Sequence, residues 1–209
     1  METALKPAEE TAAAPQGLSV DQAVTAALGR RSLVFVGMMG AGKTSVGKRV
    51  AARLGLPFID ADAAIEEAAG MSILEIFNMH GEQHFRDGER RVILRLLNAA
   101  PQVVATGGGA FMNPDTRAAI ASRGVSIWLT AGFDLLIKRV RRRANRPMLA
   151  NPDPESVLKR LMAERYPVYA QADVTVESSD VPQDVMAGAV IEALSAYFAA
   201  SSAASGSAA

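Results

Sequence analysis

The chain contains no cysteine. That excludes a disulfide framework, a thiolate zinc centre and a cysteine nucleophile. Only two histidines are present, His80 and His84, too few for a histidine-rich metal cage. Neither charge dominates: 22 basic side chains face 22 acidic ones. Zero net charge argues against a bulk nucleic-acid binder, whose footprint is basic. No apolar run approaches the roughly 18 residues of a membrane helix, so no membrane association and a soluble, cytoplasmic protein are expected. The length, 209 residues, fits one domain with short appendages, and the 49% hydrophobic content suits a buried core.

The two ends contribute little to that core. Residues 1–17 carry Glu2, Glu9 and Glu10 and fit neither a secretory signal nor a transit peptide, so a disordered leader is expected. Residues 199–209 are only Ala, Ser and Gly, with too little apolar area to offset ordering entropy, and a disordered tail is expected there. Residues 18–198 form the single folded domain. It opens with an amphipathic pattern, Leu18, Val20, Val24, Ala27 and Leu28, capped by Ser19.

Strand-like runs then alternate with helical patterns. The runs are Leu33–Val36, Pro57–Asp60, Gln102–Ala105, Val125–Leu129 and Asp173–Val176. Several are continuously apolar, as strands covered on both faces are. Helical spacing appears in Val46/Val50/Leu54, Phe85/Val92/Ile93/Leu96 and Leu135/Leu136/Val140. This alternation predicts an α/β fold, a parallel sheet between layers of helices.

Gly37-Met38-Met39-Gly40-Ala41-Gly42-Lys43-Thr44 satisfies G-x-x-x-x-G-K-[ST], directly after the first strand and before a helix. Glycines allow the sharp turn that converges backbone N–H groups on phosphate oxygens. Lys43 supplies a charge for the β- and γ-phosphates, and the Thr44 hydroxyl suits Mg²⁺. The motif predicts a nucleoside triphosphate and is silent about the acceptor.

Asp60 and Asp62 close the second strand run, and residues two apart in extended chain share a side. Both carboxylates are expected in the crevice at the strands' carboxyl ends, one for Mg²⁺ and one for an alcohol. Helix-capping acids are the competing reading. The third strand runs into Gly107-Gly108-Gly109, whose backbone is open to a ligand. Arg86 begins a long amphipathic helix, with Glu89 three residues on to orient it, and Arg165 ends another helix. Lys138 to Arg146 hold six of the 22 positive side chains. A nucleic-acid patch, a solvated helix face and a lid over the phosphates are the three readings. The lid, about residues 139–154, is favoured because a phosphate site already exists and the net charge is zero.

Together these residues resemble the shikimate kinase family from about Leu33 to Val176. The carriers are Gly37–Thr44, Asp60-Ala61-Asp62, Gly81–Arg86, Gly107–Gly109, Arg146–Leu149 and Arg165–Tyr169. The resemblance implies a P-loop NTPase-type α/β/α sandwich, a five-stranded sheet in order 2-3-1-4-5, and a mobile lid. It also implies phosphoryl transfer from ATP, with Mg²⁺, to the 3-hydroxyl of shikimate in aromatic amino-acid biosynthesis. By the same resemblance, Asp62 grips the shikimate hydroxyls. Arg86 and Arg165 hold the carboxylate, with Gly107, Gly108 and Gly109 adding backbone contacts. Phe77 and Phe85 line the apolar side. Lys43 and Arg146 serve the phosphates with Asp62 as the catalytic set. Gly37, Gly40, Ala41, Gly42, Thr44 and Ser45 cradle ATP, Arg139 packs against adenine, and Thr44 and Asp60 hold the metal. The resemblance favours this substrate over that of a gluconate kinase, which need not keep Asp62, Arg86, Gly108 and Arg165. A monomer is expected.

Overall fold

In the computed structural model, residues 18–99, 101–142 and 153–206 are described. Five strands form one parallel sheet: β1 (Ser32–Val36), β2 (Phe58–Asp60), β3 (Val103–Ala105), β4 (Gly124–Thr130) and β5 (Val174–Glu177). Their order is β2-β3-β1-β4-β5, as expected. Register runs Leu33 opposite Val103 on one side and Val125 on the other. The central strand β1 is buried at all five positions. A continuous apolar run belongs there, because helices cover both faces of a parallel sheet.

Among the described residues, eight α-helices connect and cover the strands: α1 (Val20–Leu28), α2 (Lys43–Leu54), α3 (Ala61–Ala69), α4 (Ile73–Leu97), α5 (Pro114–Arg123), α6 (Phe133–Arg141), α7 (Pro154–Tyr169) and α8 (Gln183–Gly206). Helices α1, α2 and α8 pack together, while α4 packs with α5. Helix α1 begins as its sequence predicts, with Ser19 and Gln22 forming a reciprocal capping box. Val24 and Leu28 point into the core, and an ion pair of Asp21 with Arg53 at 2.6 Å ties α1 to α2.

Three expectations change. Helix α8 runs on to Gly206, so the tail is helical well beyond residue 198. Alanine has the highest helix propensity, and extending a packed helix needs no new nucleus. Second, residues 183–203 of α8 are long and apolar enough to cross a membrane by length and composition, contrary to the absence expected. Alanine supplies much of that hydropathy, and Met186, Val190, Ile191, Leu194 and Phe198 bury their side chains in the core. Third, the ends of the segment expected as a lid are helical, since Arg139 and Arg141 lie within α6 and Pro154 opens α7. Residues 143–152, with Arg146, lie outside the described residues, as do residues 1–17 and 207–209.

Candidate active site

Strand β1 delivers the chain into the phosphate loop, and Gly42 ends it as the N-cap of α2 at φ 104°. Glycine tolerates this left-handed conformation, which a side chain would strain. Gly42 also brings no side chain to satisfy the first N–H groups of α2, which leaves an anion-binding helix start. The Lys43 ammonium donates to the carbonyls of Gly37 at 2.7 Å and Met38 at 3.0 Å, holding it over its own loop.

Asp60 ends β2 and caps α3, accepting from the Asp62 backbone N–H at 3.1 Å. Asp62 therefore lies in the first turn of α3, and strand alternation is not what brings the two acids together. The helix-capping reading holds for Asp60, and it coexists with a second contact. The Thr44 hydroxyl donates to Asp60 Oδ2 at 3.0 Å. Two hard oxygens at the phosphate-loop mouth suit Mg²⁺, which prefers oxygen ligands and takes few from protein when a nucleotide shares it. Among the described residues no cluster of three or more His, Cys, Asp or Glu forms a separate metal site.

The triple glycine after β3 is where the remaining groups meet. A Cβ on Gly107 would sit 2.8 Å from Asp62 Oδ1 and 2.9 Å from Glu89 Oε1. One on Gly108 would sit 3.3 Å from Arg165 Nη1 and 3.6 Å from the Gly37 carbonyl. One on Gly109 would collide with Arg86 Nη1 at 2.5 Å. The turn has no room for side chains at Gly107 and Gly109, since two carboxylates and two guanidiniums press against it, and it also borders the phosphate loop.

Helix α4 is broken at Gly81, which has φ 80° and ψ 172°, five residues before Arg86. Arg86 donates to Glu89 at 2.8 Å and to Glu82 at 3.2 Å. Burial works to lower the Arg86 pKa, but hydrogen bonds and charge from both glutamates raise it overall. Burial pushes the Glu89 carboxyl up, against the opposing pull of Arg86.

Helix α7 does not end at Arg165. It continues through Pro167 for one more turn, which ends on the fully buried Tyr169. Pro167 costs one bond of the helix ladder, yet the helix carries on past it, and Ala170 N–H closes on the Tyr166 carbonyl at 2.9 Å. The Tyr169 hydroxyl donates to the Gly108 carbonyl and so fixes the glycine turn. Burial pushes its pKa up to about 12. Arg165 Nε is buried without a hydrogen-bond partner among the described residues.

One cavity of about 280 Å³ is lined among others by Gly40, Lys43, Thr44, Ser45, Asp60, Asp62, Gly107, Gly108 and Arg139, while Arg86, Arg165 and Gly109 are not in its lining and join the site through the glycine turn. Arg139 reaches the carbonyls of Gly40 at 3.2 Å and Ala41 at 3.3 Å, and burial lowers its pKa. Phe77 and Phe85 are not in this lining. They stack at 4.6 Å within the small apolar cluster between α3 and α4. Thr106 and Gln183 line the cavity although no motif singles them out, and Arg142 lines it from within the basic run Lys138 to Arg146, where the sequence assigns it no role of its own. Tyr169 was visible only as part of a motif, and its contact with Gly108 depends on chain segments 61 residues apart.

A parallel sheet with a phosphate loop at the carboxyl end of its central strand, an acid pair and a guanidinium-flanked glycine turn defines a P-loop kinase of small molecules. A family model described as shikimate kinase matches residues 39–195. The chain is 58% identical over 186 residues to a shikimate kinase of Bradyrhizobium diazoefficiens, covering 89% of this chain and 90% of that one. It is 53% identical over 193 residues to that of Rhodopseudomonas palustris, covering 92% and 95%. Among solved structures, shikimate kinase from Acinetobacter baumannii in complex with shikimate matches with TM-score 0.76 at 35% identity, covering 81% of this chain and 95% of that one. The chain belongs to the shikimate kinase family.

Proposed function

We propose that this enzyme transfers the γ-phosphoryl group of ATP to the 3-hydroxyl of shikimate, giving shikimate 3-phosphate and ADP. The observation that carries the reading is the glycine turn, where Asp62, Arg86 and Arg165 converge beside the phosphate loop. Shikimate is a small anion with several hydroxyls. A planar guanidinium binds carboxylate in a fork, and an ionised carboxylate accepts from hydroxyls.

In this reading Arg86 and Arg165 hold the carboxylate and Asp62 orients the reacting hydroxyl. The hydroxyl oxygen bonds to the γ-phosphorus as the bond to the β–γ bridging oxygen breaks, and the hydroxyl proton passes to Asp62. Lys43 and the first N–H groups of α2 stabilise charge on the phosphates, since such transfers depend chiefly on positioning and electrostatics. Thr44 and Asp60 would hold Mg²⁺, which neutralises phosphate charge when bound. Arg139 is placed for the nucleotide by its contacts to Gly40 and Ala41. Arg146 is assigned to the phosphates on its motif alone. Phe77 and Phe85 act from behind Arg86, whose guanidinium lies 5.0 Å over the Phe85 ring. The reading takes a monomer acting in the cytoplasm on two small molecules, without a membrane, and the zero net charge speaks against nucleic acid as a partner.

A coupled assay of ADP release, run with shikimate and gluconate in parallel, tests the reading. Mg²⁺-dependent turnover with shikimate alone is expected. Turnover with gluconate alone, or with neither, overturns it.

A further inference from the structure

A second cavity, of about 440 Å³, opens between α3 and α4 and shares no lining residue with the first. Its wall is apolar, formed by Ile65, Ile76, Phe85 and Val92. Its rim is basic, carrying Arg91 and Arg95 together with His80 and His84. No acidic side chain lines it, and neither arginine forms an ion pair with a described residue.

We propose that this cavity is a second ligand site, for a small carboxylate with an aryl or branched-alkyl body, coupled to the clamp arginine Arg86 through Phe85. The volume lies in the range of pockets that enclose small organic ligands. An apolar chamber rewards burial of a hydrocarbon body, and two arginines at its mouth suit a carboxylate. Gly88 supports the same conclusion. Glycine is disfavoured against alanine in a helix interior, yet it stands in α4 where a Cβ would meet only Arg91 Nη2, at 4.0 Å. Its missing side chain leaves the chamber wider at this point of the lining.

Phe85 provides the coupling. It forms part of the cavity wall, and the Arg86 guanidinium rests 5.0 Å over its ring. A ligand packed against Phe85 therefore changes the support of a residue assigned to shikimate, and the coupling is reciprocal. The coupling rests on that assignment, whereas the binding site itself does not.

The probe is 2-naphthoate, with neutral 2-naphthamide as its control, titrated calorimetrically into the full chain. A Kd at or below about 1 mM is expected for naphthoate, with naphthamide at least about tenfold weaker. Gly88→Leu, which fills the chamber, and the double variant Arg91→Gln/Arg95→Gln, which removes the rim charge, are each expected to weaken naphthoate at least about tenfold. Competition at the first cavity would survive both substitutions. Undiminished affinity in either variant, equal affinity for the amide, or no binding by about 10 mM overturns the site. Saturating naphthoate is expected to shift the shikimate KM at least about twofold. An unchanged KM overturns the coupling while leaving the binding result to stand separately, and a failure of shikimate turnover itself is read in the assay without naphthoate.

Discussion

Glu89, only 3% exposed, accepts from Arg86 Nη1 at 2.8 Å, while its other oxygen has no hydrogen-bond partner among the described residues. The pair braces the guanidinium against the glycine turn. Burial raises the Glu89 pKa above 4.5, so the folded chain binds this proton more tightly than the unfolded chain. Stability from this group is therefore greatest at low pH and declines as pH rises through the raised value. Glu89→Gln should flatten that decline in urea unfolding measured across the acidic range. It should also raise the shikimate KM, because Arg86 loses a charged partner.

The carboxylate clamp predicts a separation of kinetic constants. Arg86→Ala should raise the shikimate KM by about 10- to 100-fold, with a smaller effect on kcat and little on the ATP KM. Steady-state kinetics varying each substrate in turn check this, and an unchanged shikimate KM contradicts the clamp.

Asp62 is assigned to both binding and proton acceptance. Asp62→Asn should reduce kcat/KM for shikimate by about 100-fold or more while leaving nucleotide affinity intact. Normal turnover in this variant removes Asp62 from the chemistry.

The glycine turn makes a steric prediction. Gly109→Ala adds a Cβ within 2.5 Å of the Arg86 guanidinium. The arginine must swing aside, so shikimate binding should weaken by about tenfold or more with the fold retained. Circular dichroism and shikimate titration together separate displacement of Arg86 from unfolding.

Tyr169 should shape alkaline unfolding. Its pKa is pushed up to about 12, so near pH 10 the unfolded chain releases a proton that the folded chain keeps. Stability must then fall between about pH 10 and 12, by about 3 kcal/mol in all. Tyr169→Phe should remove much of that slope in denaturant titrations. It should also loosen the glycine turn, seen as a higher shikimate KM.

The phosphate loop, the five strands and their helical connections were legible in the chain because each depends on neighbours within a few residues. Gly42 needs its left-handed φ whatever packs around it, and β1 reads as a buried strand from its own five residues. The acid pair was legible as chemistry and misread as geometry. Asp60 and Asp62 look like alternating strand residues, yet capping by Asp60 starts α3 between them.

Other features depended on distant partners. The tail beyond residue 198 becomes helical because α8 is already nucleated by side chains packed on α1 and α2. Phe77 and Phe85 go to the α3–α4 cluster because the two helices need an apolar seam of their own.

The amino-acid sequence alone determined the phosphate cradle, the order of strands and helices, and the residue types available to a second substrate. Local turns and hydrophobic period are short-range properties, so one strand of text suffices to read them. Tertiary structure decided that Gly107, Gly108 and Gly109 would be pressed by Asp62 and Glu89, Arg165 and Arg86, and that Tyr169 would hold the turn. Those contacts join segments far apart in the chain, and packing of the whole sheet and its helices is what sets their distances.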